Sequence, residues 1–293
     1  MLKVRFADNN HHVVKVVTKY YQLEESKFLQ LFLPSIYQYK IVNSDEKADI
    51  CFVDVTHQNN DLLRNNEVNI LFSIENLSVG RSWYGFYNTF GRYNPKIDLY
   101  LYNDISIKTE NTIPVIHKRI EYFKKMEPLI NIKNVPFKDK KFCLFVSKNN
   151  LNINKNSIIK MLHTIDKVDF IHIYDDILLD KSCYNDETLL KIFNQYKFIV
   201  CFENSKTDGY ITEKIFNAFL AKTIPIYDGA PNITSFIDPN SFVAFDERLI
   251  INICLLNNNE FKYNEMICSK KIVDADYSTD DVFTNIFKRK IDL

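Results

Sequence analysis

A chain of 293 residues with 46% apolar and 25% charged residues has the composition of a globular protein, and its length suits two ordinary domains. Lysine plus arginine and aspartate plus glutamate both number 37, so the formal net charge is zero. That balance argues against a nucleic-acid binder that works through a broad basic surface.

In chain order, Met1 to Phe6 lacks the apolar region of a signal peptide, and no later run reaches transmembrane length, so a cytoplasmic location is expected. Leu2 to Ala7 reads as a first strand and Gln22 to Leu33 as a helix. Asp49–Val55, Val68–Ile74 and Ile97–Tyr102 read as buried strands. Residues Lys118 to Lys140, rich in charge and carrying Pro128 and Pro136, read as an interdomain connection. A strand restarts at Lys141–Ser147. A helix from about Asn156 to Ile165, a strand at Phe170–Tyr174 and a helix at Asp186–Asn194 follow. Phe242–Phe245 reads as a late strand and Asp281–Arg289 as a terminal helix. The Lys288-Arg289-Lys290 cluster on that helix reads as a solvated end or as a peripheral membrane contact. Strands alternating with helices imply an α/β fold with parallel sheets.

The six cysteines (Cys51, Cys143, Cys183, Cys201, Cys254, Cys268) show no CxxC spacing, and several sit inside apolar runs. Buried free thiols in a reducing compartment are expected rather than disulfides or a zinc site. His11, His12, His57, His117, His163 and His172 form no ligand spacing. The pairs Asp175-Asp176 and Asp280-Asp281 read as turn or capping residues, so no metal is expected.

The most informative stretch is Tyr196 to Gly229. Phe198–Phe202 reads as a strand buried on both faces, Glu203–Gly209 as a polar loop, and Ile211–Ala221 as a helix. Ile211, Ile215, Ala218 and Phe219 fall on one face of that helix, and Tyr210, Glu213, Lys214 and Asn217 on another. Thr223–Tyr227 closes a βαβ unit. Ligands of such sheets sit outside the carboxyl ends of the strands, where helix N-termini favour anions. A lysine in the first turn suits a phosphate, and a neighbouring carboxylate suits ribose hydroxyls. From spacing alone, the better reading of Glu213 and Lys214 is as ordinary solvated helix residues, with Asp208 or Thr212 as an N-cap.

The wording is more specific than the spacing. Phe202-Glu203-Asn204-Ser205, Gly209-Tyr210-Ile211-Thr212-Glu213-Lys214-Ile215, Thr223-Ile224-Pro225-Ile226-Tyr227 and Pro239-Asn240-Ser241-Phe242-Val243 together resemble the signature of the α-1,3/α-1,4-fucosyltransferase family. The likeness is closer to its soluble bacterial members than to the animal ones, which carry an N-terminal anchor and stem. This resemblance implies a GT-B-like α/β fold of two Rossmann-like domains with an interdomain cleft. Residues 1–138 would bind the acceptor and supply the catalytic base, and residues 139–293 would bind the nucleotide sugar.

Within that resemblance Lys214 would neutralise diphosphate charge, Glu213 would hold ribose hydroxyls, and Asn204 and Tyr210 would complete the nucleotide contacts. Ser147 and Asn149, after the first strand of the second domain, would line the same pocket or form a plain turn. Glu75, directly after an apolar strand and followed by Asn76, matches the family's catalytic glutamate; by itself it reads as a turn residue. Two features depart from the pattern. Asp228 stands where the family places an aromatic residue, and no arginine lies between Lys141 and Ala221, where members have one that meets the diphosphate. A lysine substitute would be a point charge rather than a bidentate fork.

The activity implied is inverting transfer of L-fucose from GDP-fucose to a saccharide hydroxyl, α-1,3 on an N-acetylglucosamine-type acceptor, with no metal or other cofactor. The alternatives are a GT-B transferase for another nucleotide sugar and a non-catalytic nucleotide-sugar or glycan binder.

Overall fold

The computed structural model describes residues 1–6, 29, 31–34, 37–43, 45–54, 63–73, 95–103, 111–147, 153–172 and 187–291. The expected Gln22–Leu33 helix lies mostly outside these residues. The chain divides into two compact units: Met1–Lys125 with Thr207–Tyr210 and Asp276–Leu293, and Met126–Lys206 with Ile211–Ala275.

The first unit is built on a parallel sheet of β1 (Leu2–Phe6), β2 (Tyr39–Ile41), β3 (Ile50–Asp54), β4 (Val68–Phe72), β5 (Leu99–Tyr102) and β6 (Thr112–Pro114). The strand order is β2-β1-β3-β4-β5-β6. Every residue of β4 is buried, the polar Asn69 included, as expected for a central strand of a parallel sheet. Across β1, β3 and β4, Phe6 stacks on Phe52 and Phe52 meets Phe72 edge to face, with centroids 5.9 Å apart at each step. One ion pair is enclosed here: Arg5 Nε donates to both oxygens of Glu67, at 3.0 and 2.8 Å, with both side chains almost wholly buried.

A helix, α1 (Val115–Met126), follows β6 and corrects the reading of Lys118–Lys140 as a connection. Its lysines disguise an apolar stripe at helical spacing, in which Ile116, Ile120 and Phe123 are buried. Lys118 is buried too. Its ammonium donates to the Glu121 carboxylate and to Thr279 Oγ1, the latter at 3.1 Å.

The second unit contains β7 (Lys141–Ser147), α2 (Ile153–His163), β8 (Val168–His172), α3 (Glu187–Phe193), β9 (Tyr196–Phe202), α4 (Glu213–Leu220), β10 (Ile224–Asp228), β11 (Val243–Ala244), α5 (Leu249–Asn258) and α6 (Glu260–Cys268). Its parallel sheet runs β11-β10-β9-β7-β8. Counted from β7, that is the doubly wound order 2-1-3-4-5, whose switch point lies between β7 and β9. Phe142, Phe198, Ile224 and Ile226 belong to one apolar cluster, closed by Ile253, Leu256 and Tyr263 from α5 and α6.

Helix α4 ends in a Schellman motif. Thr223 N–H reaches Ala218 O at 3.1 Å and Lys222 N–H reaches Phe219 O at 3.0 Å, with Lys222 itself at φ 55°. A lysine in this left-handed position is strained, and its side chain is anchored on Ile132 O at 3.3 Å.

The last helix, α7 (Asp280–Lys290), belongs to the first unit. A two-domain division into residues 1–138 and 139–293 therefore differs from the compact units at both ends of the second segment. The reason is the buried face Phe283, Ile286 and Phe287, together with polar ties to the first sheet and α1. Thr279 N–H donates to Glu121 Oε1 at 2.8 Å, and Lys290 Nζ lies 2.9 Å from Asp98 Oδ2 and donates to Glu67 O at 3.2 Å. Of the terminal basic cluster, only Lys288 and Arg289 are exposed.

Candidate active site

The second unit holds the buried polar side chains of Glu203 and Thr212 where β9 meets α4. β9 is apolar and buried from Phe198 through Phe202, and Glu203 is the first residue beyond it. Phe145 of β7 pairs with Val200 of β9, which puts Ser147, two residues on, level with Phe202. The carboxyl ends of both switch-point strands therefore end side by side. The Ser147 side chain, Asn149 and Glu75 lie outside the described residues.

Glu203 organises this corner. Its side chain is fully buried (0% exposed). Oε1 accepts the Thr212 backbone N–H at 2.6 Å, and Oε2 accepts the Thr212 hydroxyl at 2.6 Å and the Lys214 ammonium at 2.9 Å. Lys214 Nζ also donates to Thr212 Oγ1 at 2.7 Å and lies 3.6 Å from Glu213 Oε1. The Lys214 and Glu213 side chains are each 29% exposed, so the pair reaches the surface while its anchor does not. A carboxylate at this end of a helix is favoured by the helix dipole.

The local backbone makes this arrangement possible. Thr212 is extended (φ −102°, ψ −169°) and occupies the N-cap position of α4 with no side-chain cap bond, because its hydroxyl is given to Glu203. The helix therefore starts at Glu213, two residues later than its periodicity suggests. Tyr210 falls outside it, buried, in the segment Thr207–Tyr210 that groups with the first unit. Asn217, expected on the solvated stripe with Lys214, is buried as well. Gly209, at φ 80°, supplies the left-handed turn before the helix.

Behind the carboxylate the wall is tight. A Cβ at Gly229 would come within 2.4 Å of the Tyr227 hydroxyl and 2.5 Å of Glu203 Cγ, so only glycine fits. The Tyr227 oxygen accepts the Ala230 N–H at 3.0 Å. Burial, reinforced by the Glu203 carboxylate, holds this hydroxyl well above its ordinary pKa. Burial does the same to the Cys201 thiol, which donates to Lys214 O at 3.4 Å.

Of the residues singled out by sequence, Glu213 and Lys214 are thus brought together, and Asn204 is exposed immediately after Glu203. Asp228 ends β10 and pairs with Lys206 at 2.6 Å, while its carbonyl accepts the Glu203 N–H at 2.8 Å. The sequence assigned no role to Glu203, and to Thr212 only that of a candidate N-cap, the position it takes. Glu203 stood in the quoted motif, but a polar residue after a strand reads as a solvated loop. Among the described residues, no three His, Cys, Asp or Glu side chains converge as a metal-ligand set.

Two doubly wound parallel sheets, with a cation anchored at the switch point of the second, define a GT-B-like glycosyltransferase architecture. Residues 135–280 match the family model described as glycosyltransferase family 10 (fucosyltransferase) C-term, and the chain belongs to that family. Over 168 residues it is 33% identical to the α-(1,3)-fucosyltransferase FucT of Helicobacter pylori, covering 54% of this chain and 34% of that protein. A GDP-fucose protein O-fucosyltransferase 3 of Danio rerio is 43% identical over 63 residues, 22% of this chain and 14% of that one. The chain thus spans about a third or less of the length of these relatives. The crystal structure of an α1,3-fucosyltransferase with GDP-fucose shares the fold at a TM-score of 0.63 and 20% identity, covering 98% of this chain and 90% of that one. No helix among the described residues is long and apolar enough to cross a membrane.

Proposed function

We propose that this protein transfers L-fucose from GDP-fucose to a saccharide hydroxyl with inversion at the anomeric carbon, α-1,3 on an N-acetylglucosamine-type acceptor. The observation that carries the reading is the half-buried Lys214 ammonium, held at the N-terminus of α4 beyond the switch-point strand, inside the family-matched segment. Lys214 and the helix N-terminus offer positive charge to a departing diphosphate, and that charge needs no metal or other cofactor. Glu213 is the ribose-binding carboxylate, with Asn204, Tyr210, Ser147 and Asn149 as further nucleotide contacts. Glu75 in the first unit is the base: the acceptor oxygen attacks the anomeric carbon, the bond to the phosphate oxygen breaks, GDP leaves, and the acceptor proton passes to Glu75. The free thiols of Cys51, Cys143 and Cys201 suit a reducing, cytoplasmic setting.

Calorimetry with GDP, UDP, ADP and CMP, with and without EDTA, tests the donor. Tightest binding to GDP, unchanged by EDTA, is expected. Equal binding of UDP would favour a transferase for another nucleotide sugar, the reading to which Asp228 and its Lys206 partner lend weight. Glu75→Gln tests the base. It should bind GDP like the parent and melt like it, yet lose transfer by about 10²–10⁴-fold. A variant that melts normally and still transfers sugar at a comparable rate would exclude Glu75.

A further inference from the structure

We propose that Glu203 is a positioning residue: it fixes the Lys214 ammonium in place before a diphosphate arrives. The inference rests on the reading of Lys214 given above. Three atoms form a closed ring: Glu203 Oε2, Thr212 Oγ1 and Lys214 Nζ, at 2.6, 2.7 and 2.9 Å. The hydroxyl has one proton and gives it to the carboxylate, so it can only accept from the lysine. The direction of every bond in the ring is therefore set. Glu203 Oε1 is bound to the Thr212 amide, which ties the ring to the first residue before α4. Gly229 packs so closely on Glu203 Cγ that a Cβ there would come within 2.5 Å of it.

A buried ion pair is not a general device for stability, since well-packed apolar residues do as well. What this one does is take a long, flexible cation and hold it in one rotamer at a surface-reaching position. An ordered group loses less freedom when a ligand binds. Glu203 also has an opposing effect. With Glu213 it places two carboxylates around one ammonium, which by charge alone disfavours an anion. The two effects predict opposite signs for Glu203→Gln, which keeps the size and loses the charge. Loss of positioning weakens diphosphate binding, whereas relief of repulsion strengthens it.

The experiment is calorimetry on the whole chain with GDP and with guanosine, which lacks the phosphates, for the parent, E203Q and T212V. The last variant keeps the Glu203 link to the residue 212 amide and breaks the ring, so it reports even where E203Q does not fold. Affinity for GDP should fall about tenfold in E203Q and several-fold in T212V, with guanosine affinity within about twofold of the parent in both. Unchanged or tighter GDP binding in the folded variants overturns the proposal. So does an equal loss for guanosine and GDP, which is the mark of a merely structural role. A parent that prefers UDP or ADP overturns the donor reading alone, and the same comparison with that nucleotide and its nucleoside then tests Glu203. A parent that binds no nucleoside diphosphate overturns both.

Discussion

At Lys214, the proposed ligand binding and the stability of the fold converge on one side chain. Its place on a polar helical stripe suggests that the fold tolerates its loss. The structure shows otherwise, because its ammonium is the charged partner of a carboxylate with no exposure. Lys214→Ala should weaken GDP binding by about 1–3 kcal/mol, the value of a charged hydrogen bond. It should also destabilise the second unit by a similar amount, about 1–3 kcal/mol, since Glu203 keeps only Thr212. Denaturant unfolding with and without GDP separates the two effects. An unchanged GDP affinity would remove Lys214 from the site, and an unchanged midpoint without ligand would remove its structural part. Glu203 itself was not legible as a buried group. Sequence periodicity speaks of helices and strands, and burial of a loop carboxylate is decided by the wall of Gly229 and Tyr227 that folds against it.

Elements with a strong apolar period were the most legible. The strands β1, β3, β4, β5 and β7 to β10 lie within a few residues of their sequence-based positions, and so do α2, α3 and α7. Three helices were not read. Helix α1 is dense in lysine and arginine, and its buried Lys118 and Arg119 break the usual rule that charge marks solvent. Helices α5 and α6 lack a one-sided pattern, with Ile251, Leu255 and Phe261 exposed on the far side. Helix α7 was seen, but not where it packs. Phe287 is fully buried and lies 5.9 Å from Phe283 and 5.5 Å from Tyr37, centroid to centroid. Phe287→Ala should cost about 3–5 kcal/mol, read as a lower denaturation midpoint. A loss below about 1 kcal/mol would mean that α7 contributes little to the first unit.

The end of α6 carries a pH-dependent contact. Lys271 Nζ donates to Met266 O and Ile267 O, both at 2.9 Å, and burial lowers its pKa from 10.5 to about 8. Between those values the unfolded chain holds a proton that the folded one has released, so this group adds stability as pH rises. Lys271→Met lacks that gain. The stability of the parent relative to the variant should grow by about 2–3 kcal/mol from pH 7 to pH 10. Buried tyrosines and thiols titrate in both proteins and cancel in the difference. A flat difference would show that Lys271 is as hydrated in the folded state as in the unfolded one.

For the molecule as a whole, alternation of strand and helix was enough to read α/β architecture, and the ordered motif from Phe202 to Tyr227 was enough to read the family. Topology was not readable in the same way. The shared 2-1-3-4-5 winding of both sheets depends on which strands pair, and pairing leaves no local mark. Nor does a sequence show that a late segment returns to an early unit. That return sets an order on synthesis. Domains ordinarily complete from the N-terminus as the chain emerges. Here the first unit includes Asp276–Leu293, so its core stays open until those residues have been made. The second unit draws almost all its residues from one continuous stretch and can close earlier. The half that is translated first is therefore the half that finishes last. Until then the apolar surface that Phe283 and Phe287 later cover is exposed, and surface of that kind makes a nascent chain prone to aggregate.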